Sequence, residues 1–312
     1  MKELRLSKET EIPRLKEMWK LCFGDEDSYI DYYFAHRYRQ EDTAVLLSDG
    51  KIASMLTMIP VWLVLPQGEK IKASMLYAIA THPQYQGRGL AGELMDFAND
   101  HLAEKGTSFS MLVPAEKSLF RFYQRQGYQE AFYLREIKVD DRQMKELQRT
   151  ALGAASIAGK FYHAGPEEYN KIRESHFRNH FHVAYEADEF SYQKKISQLS
   201  GADLYGIDFP GYQGCMLAER IDEDKVLIKE LLASEKDLVS VILETAKLLP
   251  AAEYFFRMPA FLGQSLEASS VRPFGMIRNL HDHSQWRKEK VPGLKFDQSE
   301  VGSSGYLGLA FD

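Results

Sequence analysis

Gly87 and Gly89 have the clearest chemical use in this chain, because they sit between an apolar, β-rich run and a helical pattern. The run Met75-Leu-Tyr-Ala-Ile-Ala-Thr81 stops at Pro83, passes through Gln86-Gly87-Arg88-Gly89, and enters a helix-like repeat at Leu90-Ala91-Gly92. A strand, a glycine-rich turn and a helix start, in that order, make an anion site. The first N–H groups of a helix have no partners within it, and the helix dipole favours negative charge there.

Three phosphate motifs compete for this turn. A P-loop needs a closing Lys-Ser or Lys-Thr pair, which Leu90-Ala91-Gly92 does not offer. A dinucleotide fingerprint fits better, since Gly87, Gly89 and Gly92 have G-x-G-x-x-G spacing and Glu116 stands near the end of the next strand. That reading keeps an NAD(P)-dependent enzyme as an alternative. Against it, Pro83-Gln84-Tyr85-Gln86 separates strand from turn, and the preceding strands are linked by hairpins, the mark of an antiparallel sheet.

Other reactive residues are weaker candidates. His176, His180 and His182 have no carboxylate that completes an H-E-x-x-H pattern, so no metal site is assigned. His281-Asp282-His283 reads as a loop and Asp25-Glu26-Asp27 as a solvated turn between two helices. Cys22 and Cys215 lie far apart without metal-like spacing, so a disulfide framework is not expected and a reducing compartment fits.

The elements that hold the turn follow from periodicity. A strand at Leu4–Leu6 precedes helical spacing at Ile12, Leu15, Met18, Trp19 and Cys22, then a second helix with Tyr29, Ile30, Tyr33 and Phe34. Strands follow at Thr43–Leu47, Ile52–Met58, Val61–Leu65 and Lys72–Thr81, with Ser48-Asp49-Gly50 a hairpin signal. Leu90, Leu94, Phe97, Ala98 and Leu102 trace a helix face, Phe109–Val113 a buried strand, Ser118–Gln126 a short helix and Tyr128–Val139 a strand. After the Ala/Gly-rich joint Leu152–Lys160 the order repeats, with strands at Leu204–Ile207, Gly214–Ala218 and Val226–Leu232, a helix over Asp237–Leu249, and strands at Tyr254–Met258 and Phe274–Arg278. The last residues, Gly305–Asp312, read as a final strand. The second copy carries Ala233-Ser234-Glu235-Lys236 where the first has its glycines, and Glu235 and Asp237 would repel a phosphate.

With 312 residues the chain has room for two domains, and its 45% hydrophobic and 27% charged composition is that of a globular protein. A net charge of −6 argues against a broad nucleic-acid or anionic-membrane surface. No apolar run reaches the roughly 20 residues that span a bilayer, and Met1-Lys2-Glu3-Leu4-Arg5 has no signal-peptide core. A cytoplasmic protein is expected.

The run Thr81–Leu90 resembles the acetyl-CoA-binding motif of the GNAT superfamily of N-acetyltransferases, Q/R-x-x-G-x-G/A, with Gln84, Gly87 and Gly89 in its positions. Glu116 to Tyr128 resembles the superfamily's N-x-x-A-x-x-x-Y-x-x-x-G-F/Y stretch. Tyr123, Gly127 and Tyr128 match it, while Glu116 and Leu119 replace the Asn and Ala. The two-copy plan is similar to tandem-GNAT proteins related to the enhanced intracellular survival protein, without room for that protein's third domain.

The resemblance implies an α/β (α+β) chain of tandem GNAT folds, each a mixed, largely antiparallel sheet flanked by helices. Residues 1–150 would bind acetyl-CoA and 151–312 would be a degenerate partner. It implies a pyrophosphate cradle at Gln86, Gly87, Arg88, Gly89, Leu90, Ala91 and Gly92, and Arg88 or Arg125 adding charge. It places main-chain groups of Ile79, Ala80 and Thr81 beside the pantetheine arm and makes Tyr123 the general acid. The implied reaction is direct acetyl transfer from acetyl-CoA to a primary amine of a small molecule or peptide, with no metal. Glu116, His82 and the Asp312 carboxylate stand as alternative bases. A non-catalytic acyl-CoA-binding module uses the same turn.

Overall fold

The computed structural model describes residues 1–151, 159–281 and 305–309. Most of the Ala/Gly-rich joint, together with Asp282, His283 and Asp312, lies outside the described residues. In chain order the elements are β1 (Lys2–Leu6), α1 (Ile12–Phe23), α2 (Asp27–His36), β2 (Thr43–Ser48), β3 (Lys51–Val64), β4 (Lys70–Thr81), α3 (Leu90–Glu104), β5 (Phe109–Leu112) and α4 (Leu119–Arg125). They continue with β6 (Gln129–Val139), α5 (Asp141–Ala151), β7 (Lys160–His163), α6 (Pro166–His176), β8 (His182–Ala184), α7 (Ala187–Leu199), β9 (Leu204–Phe209) and β10 (Tyr212–Asp222). The last are β11 (Lys225–Leu232), α8 (Leu238–Leu248), β12 (Glu253–Pro259) and β13 (Ser270–Asn279).

The chain divides into two units. Unit 1 comprises Met1–Leu63, Lys70–Glu130 and Gly275–Leu294, and unit 2 comprises Val64–Glu69, Ala131–Phe274 and Lys295–Asp312. In unit 1 the sheet order is β1-β2-β3-β4-β5-β13. β1, β2 and β3 are antiparallel neighbours, β4 and β5 run parallel, and β13 lies antiparallel to β5. The Asp49-Gly50 turn has positive φ at both residues, 51° and 76°, as a tight hairpin between twisted strands requires. The α3 face of Leu90, Leu94, Ala98 and Leu102 packs with Leu76 of β4 and Leu112 of β5 in one apolar cluster. That burial fixes the helix over the strand end from which it springs.

Unit 2 repeats the plan in the order β6-β12-β11-β10-β9-β7. β11 and β12 are its parallel pair. Ile228, Leu231, Leu238, Val241, Ile242 and Phe256 form its core between sheet and α8.

Three expectations differ from the structure. The units are interleaved and do not divide at residue 150. Met276–Asn279 pair with Leu112–Phe109 in unit 1, whereas β6, which follows α4 directly, pairs with β12 in unit 2. Most sequence-adjacent strands are neighbours in space, and this long-range exchange has no local signal. Second, Ile52–Met58 and Val61–Leu65 are one strand, β3, with Pro60 exposed inside it. Proline is tolerated where the strand N–H needs no ladder partner. Third, over the described residues 305–309 of the expected final strand, Gly305 and Tyr306 make only isolated bridges, to Phe132 and His182 within unit 2.

Candidate functional site

β4 is kinked before it reaches the glycine turn. Ala78 has φ +50°, a left-handed conformation that non-glycine residues seldom adopt inside a strand. Before the kink, the register of β4 with β5 covers Ala73↔Phe109 to Met75↔Met111. Beyond it, Ser54 Oγ donates to the Ala80 carbonyl at 2.7 Å, and the His82 N–H donates to the Ala53 carbonyl at 2.9 Å. Both groups face β3. Strand alternation then turns the main-chain groups of Ile79 and Thr81 to the other side, toward the space beside β5. The Thr81 carbonyl there already accepts from Gln86 Nε2 at 3.0 Å and from the Cys22 thiol at 3.6 Å. Sequence reading missed Ala78 because an alanine carries no sign of left-handed backbone.

The turn itself is built for close approach. Pro83–Tyr85 form one short 3-10 turn, with the Gln84 N–H donating to His82 Nδ1 at 3.3 Å. Gly87 and Gly89 then adopt φ +75° and +78°, and among the described residues no atom beyond the chain neighbours lies within 4 Å of where a Cβ would stand on either. Gly89 is the N-cap of α3 and brings no side-chain cap. The N–H groups of Leu90, Ala91 and Gly92 therefore open the helix without a side-chain acceptor from the cap. Gly92 serves packing instead, since a Cβ there would meet Gln126 Nε2 at 3.0 Å. Arg88 folds back, donating to the Gln84 carbonyl at 3.0 Å with its guanidinium 5.3 Å from the Tyr85 ring. Arg125 is exposed in the last turn of α4.

Tyr123 belongs to the same apolar cluster as Leu76, Leu90 and Leu94, so the fold brings it to the turn. It is 7% exposed, and burial pushes its phenol up to about 12. Among the described residues its hydroxyl makes no hydrogen bond. Glu116 is exposed in the loop before α4, where it accepts from Ser118 Oγ at 3.1 Å.

On the far side of β4, α1 and α2 carry an aromatic wall. The Trp19 ring lies 4.5 Å from Tyr33 and 5.7 Å from Tyr77, and the Tyr29 and Tyr77 hydroxyls are 3.0 Å apart. The acidic turn is engaged here. Asp25 accepts from the Trp19 indole at 2.7 Å, and Lys20 pairs with Asp27 at 3.2 Å.

In unit 2 the matching passage is filled by its own side chains. Glu235 accepts from the Gly263 N–H, the Ser265 N–H and the Ser265 hydroxyl at 2.7–2.8 Å. Asp237 accepts from Tyr212 at 2.6 Å and Ser234 at 2.5 Å. The three histidines are dispersed. α6 ends at His176, whose ring contacts the Gln213 carbonyl; His180 lies beyond that helix, stacked on Phe261, and His182 pairs with Glu174. Among the described residues no group of three His, Cys, Asp or Glu is arranged to hold a metal ion, and no helix is long and apolar enough to cross a membrane.

Residues 3–131 match the family profile of the acetyltransferase (GNAT) domain. A segment of 61 residues is 36% identical to an uncharacterized N-acetyltransferase ycf52-like protein from Prochlorococcus marinus. That match covers 20% of this chain and spans about a third (33%) of the relative's length. The fold is similar to that of a GCN5-related N-acetyltransferase from Anabaena variabilis, with TM-score 0.72 and 15% identity over 90% of this chain and 73% of the other. It is also similar to Eis1 from Mycobacterium abscessus, with TM-score 0.62 and 15% identity over 89% of this chain and 74% of the other. Residues 3–131 thus carry a GNAT acetyltransferase domain by the family profile, and along nearly the whole length the fold is similar to that of these N-acetyltransferase structures.

Proposed function

We propose that unit 1 is an acetyl-CoA-dependent N-acetyltransferase and that unit 2 is a partner without a cofactor turn. The observation that carries this is the uncapped, glycine-opened start of α3 directly after a kinked β4. Donors at Gly87 to Gly92 suit a pyrophosphate, and the groove-facing main chain of Ile79 and Thr81 suits an extended amide arm. The antiparallel β1–β3 arrangement is not the parallel sheet that a dinucleotide reading of Gly87, Gly89 and Gly92 requires.

Acetyl-CoA supplies the acyl group as a thioester: the acceptor nitrogen bonds to the carbonyl carbon as the carbon–sulfur bond breaks in one ternary complex. The main chain at the Ala78 kink can donate to the carbonyl oxygen as charge develops there. With its phenol near 12 and an ordinary thiol near about 8.5, Tyr123 stays protonated and supports the departing thiolate by donating a hydrogen bond. The amine must lose a proton to attack. His82, just before the turn, and Glu116, in the loop before α4, are the candidate bases, and solvent reaches both.

Isothermal titration with acetyl-CoA, followed by assay of CoA release with a panel of primary amines, tests this reading. One site per chain is expected, lost in Gly87→Glu. Binding without CoA release from any amine would favour the acyl-CoA-binding module, and protection by NAD(P) but not CoA would overturn both.

A further inference from the structure

Arg278 stands in β13, in the stretch that joins unit 1 from far along the chain, opposite Ser110 of β5. Its Nη1 donates to Asp96 Oδ1 at 3.0 Å and to the Gln126 main-chain carbonyl at 3.0 Å. Asp96 lies on α3 one turn beyond Gly92 and on the same face. Gln126 closes α4: its N–H donates to the Tyr123 carbonyl at 3.0 Å, as does the Tyr128 N–H. The Gln126 side chain is the group that lies against Gly92. A third tie runs along the same face of α3, where Asn99 Oδ1 accepts from the Tyr128 hydroxyl at 3.3 Å, itself 2.8 Å from Ser110 Oγ. One guanidinium thus holds the helix that starts at the glycine turn and the helix that carries Tyr123.

We propose that Arg278 is a positioning residue that fixes the separation between the Gly87–Gly92 turn and the Tyr123 hydroxyl. The inference rests on the acetyl-CoA reading above. The Arg278–Asp96 pair has side chains 28% and 57% exposed, so its direct effect on stability is small. Geometry at a reacting centre is far less forgiving, because displacement by about 1 Å can cost up to about a hundredfold in rate. Stability and turnover should therefore separate. Arg278 lies outside the family-matching region 3–131, whereas its partners Asp96 and Gln126 lie within it.

The test uses the full chain with Arg278→Met, Arg278→Lys, Asp96→Asn and the double variant Arg278→Met with Tyr123→Phe. Arg278→Met should lower kcat and raise the acetyl-CoA KM, each by about tenfold, with the acceptor KM and the melting temperature close to wild type. Arg278→Lys should restore part of the loss, and Asp96→Asn, which keeps the Gln126 contact, should lie between. In the Tyr123→Phe background the kcat effect of Arg278→Met should disappear, because the group it positions is gone. Unchanged kinetics in Arg278→Met, or an undiminished kcat loss in the double variant, would overturn the positioning role. If Arg278→Met does not fold, wild-type kinetics in both Arg278→Lys and Asp96→Asn do the same. A wild-type chain that fails to bind acetyl-CoA removes the underlying reading instead, so the two failures are distinguishable.

Discussion

In unit 1 the chain leaves β4 at Thr81, makes the 3-10 turn Pro83–Tyr85, and passes Gln86-Gly87-Arg88-Gly89 before α3 begins at Leu90. In unit 2 it leaves β11 at Leu232, makes the 3-10 turn Glu235–Asp237, and enters α8 at Leu238 with nothing between. Both strands are irregular three residues before they end. Ala78 has its left-handed kink, and the register of β10 with β11 shifts so that Lys229 is skipped between Ile228 and Glu230. The scaffold is shared, and the turns that lead into the two helices differ. Neither α3 nor α8 has a side-chain cap, but unit 1 reaches its helix through Gly87 and Gly89, whereas in unit 2 Glu235 and Asp237 are engaged by neighbouring donors and the strand before them is tied internally. There Lys229 pairs with Glu219 at 3.1 Å, and Glu230 accepts from Arg173 at 3.1 Å and from Tyr169 at 2.9 Å. A fold repeated twice thus carries a glycine turn in one copy and a buried ion pair in the other.

The largest test of this contrast is Arg173→Met. Both Arg173 and Glu230 are fully buried, and removing one partner of such a pair costs about 3–5 kcal/mol. Urea unfolding should show that loss, whereas a change below about 1 kcal/mol would mean that the pair is incidental to unit 2.

Tyr123→Phe addresses the open side. A lost hydrogen-bond donor to the departing thiolate should lower kcat by about a hundredfold, with acetyl-CoA affinity and melting temperature nearly unchanged because the hydroxyl has no partner among the described residues. The pH profile gives the sign. Burial raises the phenol to about 12, so it stays protonated through neutral and mildly alkaline pH. The rate should climb with pH as the amine loses its proton, without a falling limb from Tyr123 below about pH 11. A falling limb near pH 9 that vanishes in Tyr123→Phe would contradict this assignment.

Glu235→Ala is smaller. It removes three hydrogen bonds to the 263–265 loop and should cost about 2 kcal/mol by calorimetry. It should not create a second acetyl-CoA site, because the four-residue glycine turn is missing and not merely blocked by charge. Two sites per chain in this variant would reverse that conclusion. Gly89→Ala is the smallest, at about 1 kcal/mol for an alanine held at positive φ. Nothing lies where its Cβ would go, so any loss of acetyl-CoA binding beyond the strain would place the ligand against that position.

Much of the site was legible in the sequence because its signals are local. Gly87 and Gly89 need left-handed backbone, Asp49-Gly50 need a tight hairpin, and the Leu90, Leu94, Ala98 spacing needs a helix face. The missing glycines at Ala233–Lys236 likewise told the second copy from the first. Less legible was every feature that depends on distant partners. The Ala78 kink has no residue signature, and Gln126 acquires its place against Gly92 only by packing.

Sequence by itself determined the two α/β repeats and which of them carries a glycine turn, since backbone conformation and helix starts are set within a few residues. Only the tertiary structure decided that the units interleave, with Met276–Asn279 completing the sheet of unit 1. Strand pairing is a choice among edges far apart in the chain, made by burial and not by local propensity. That choice brings Arg278 to the helices on which the proposed chemistry depends.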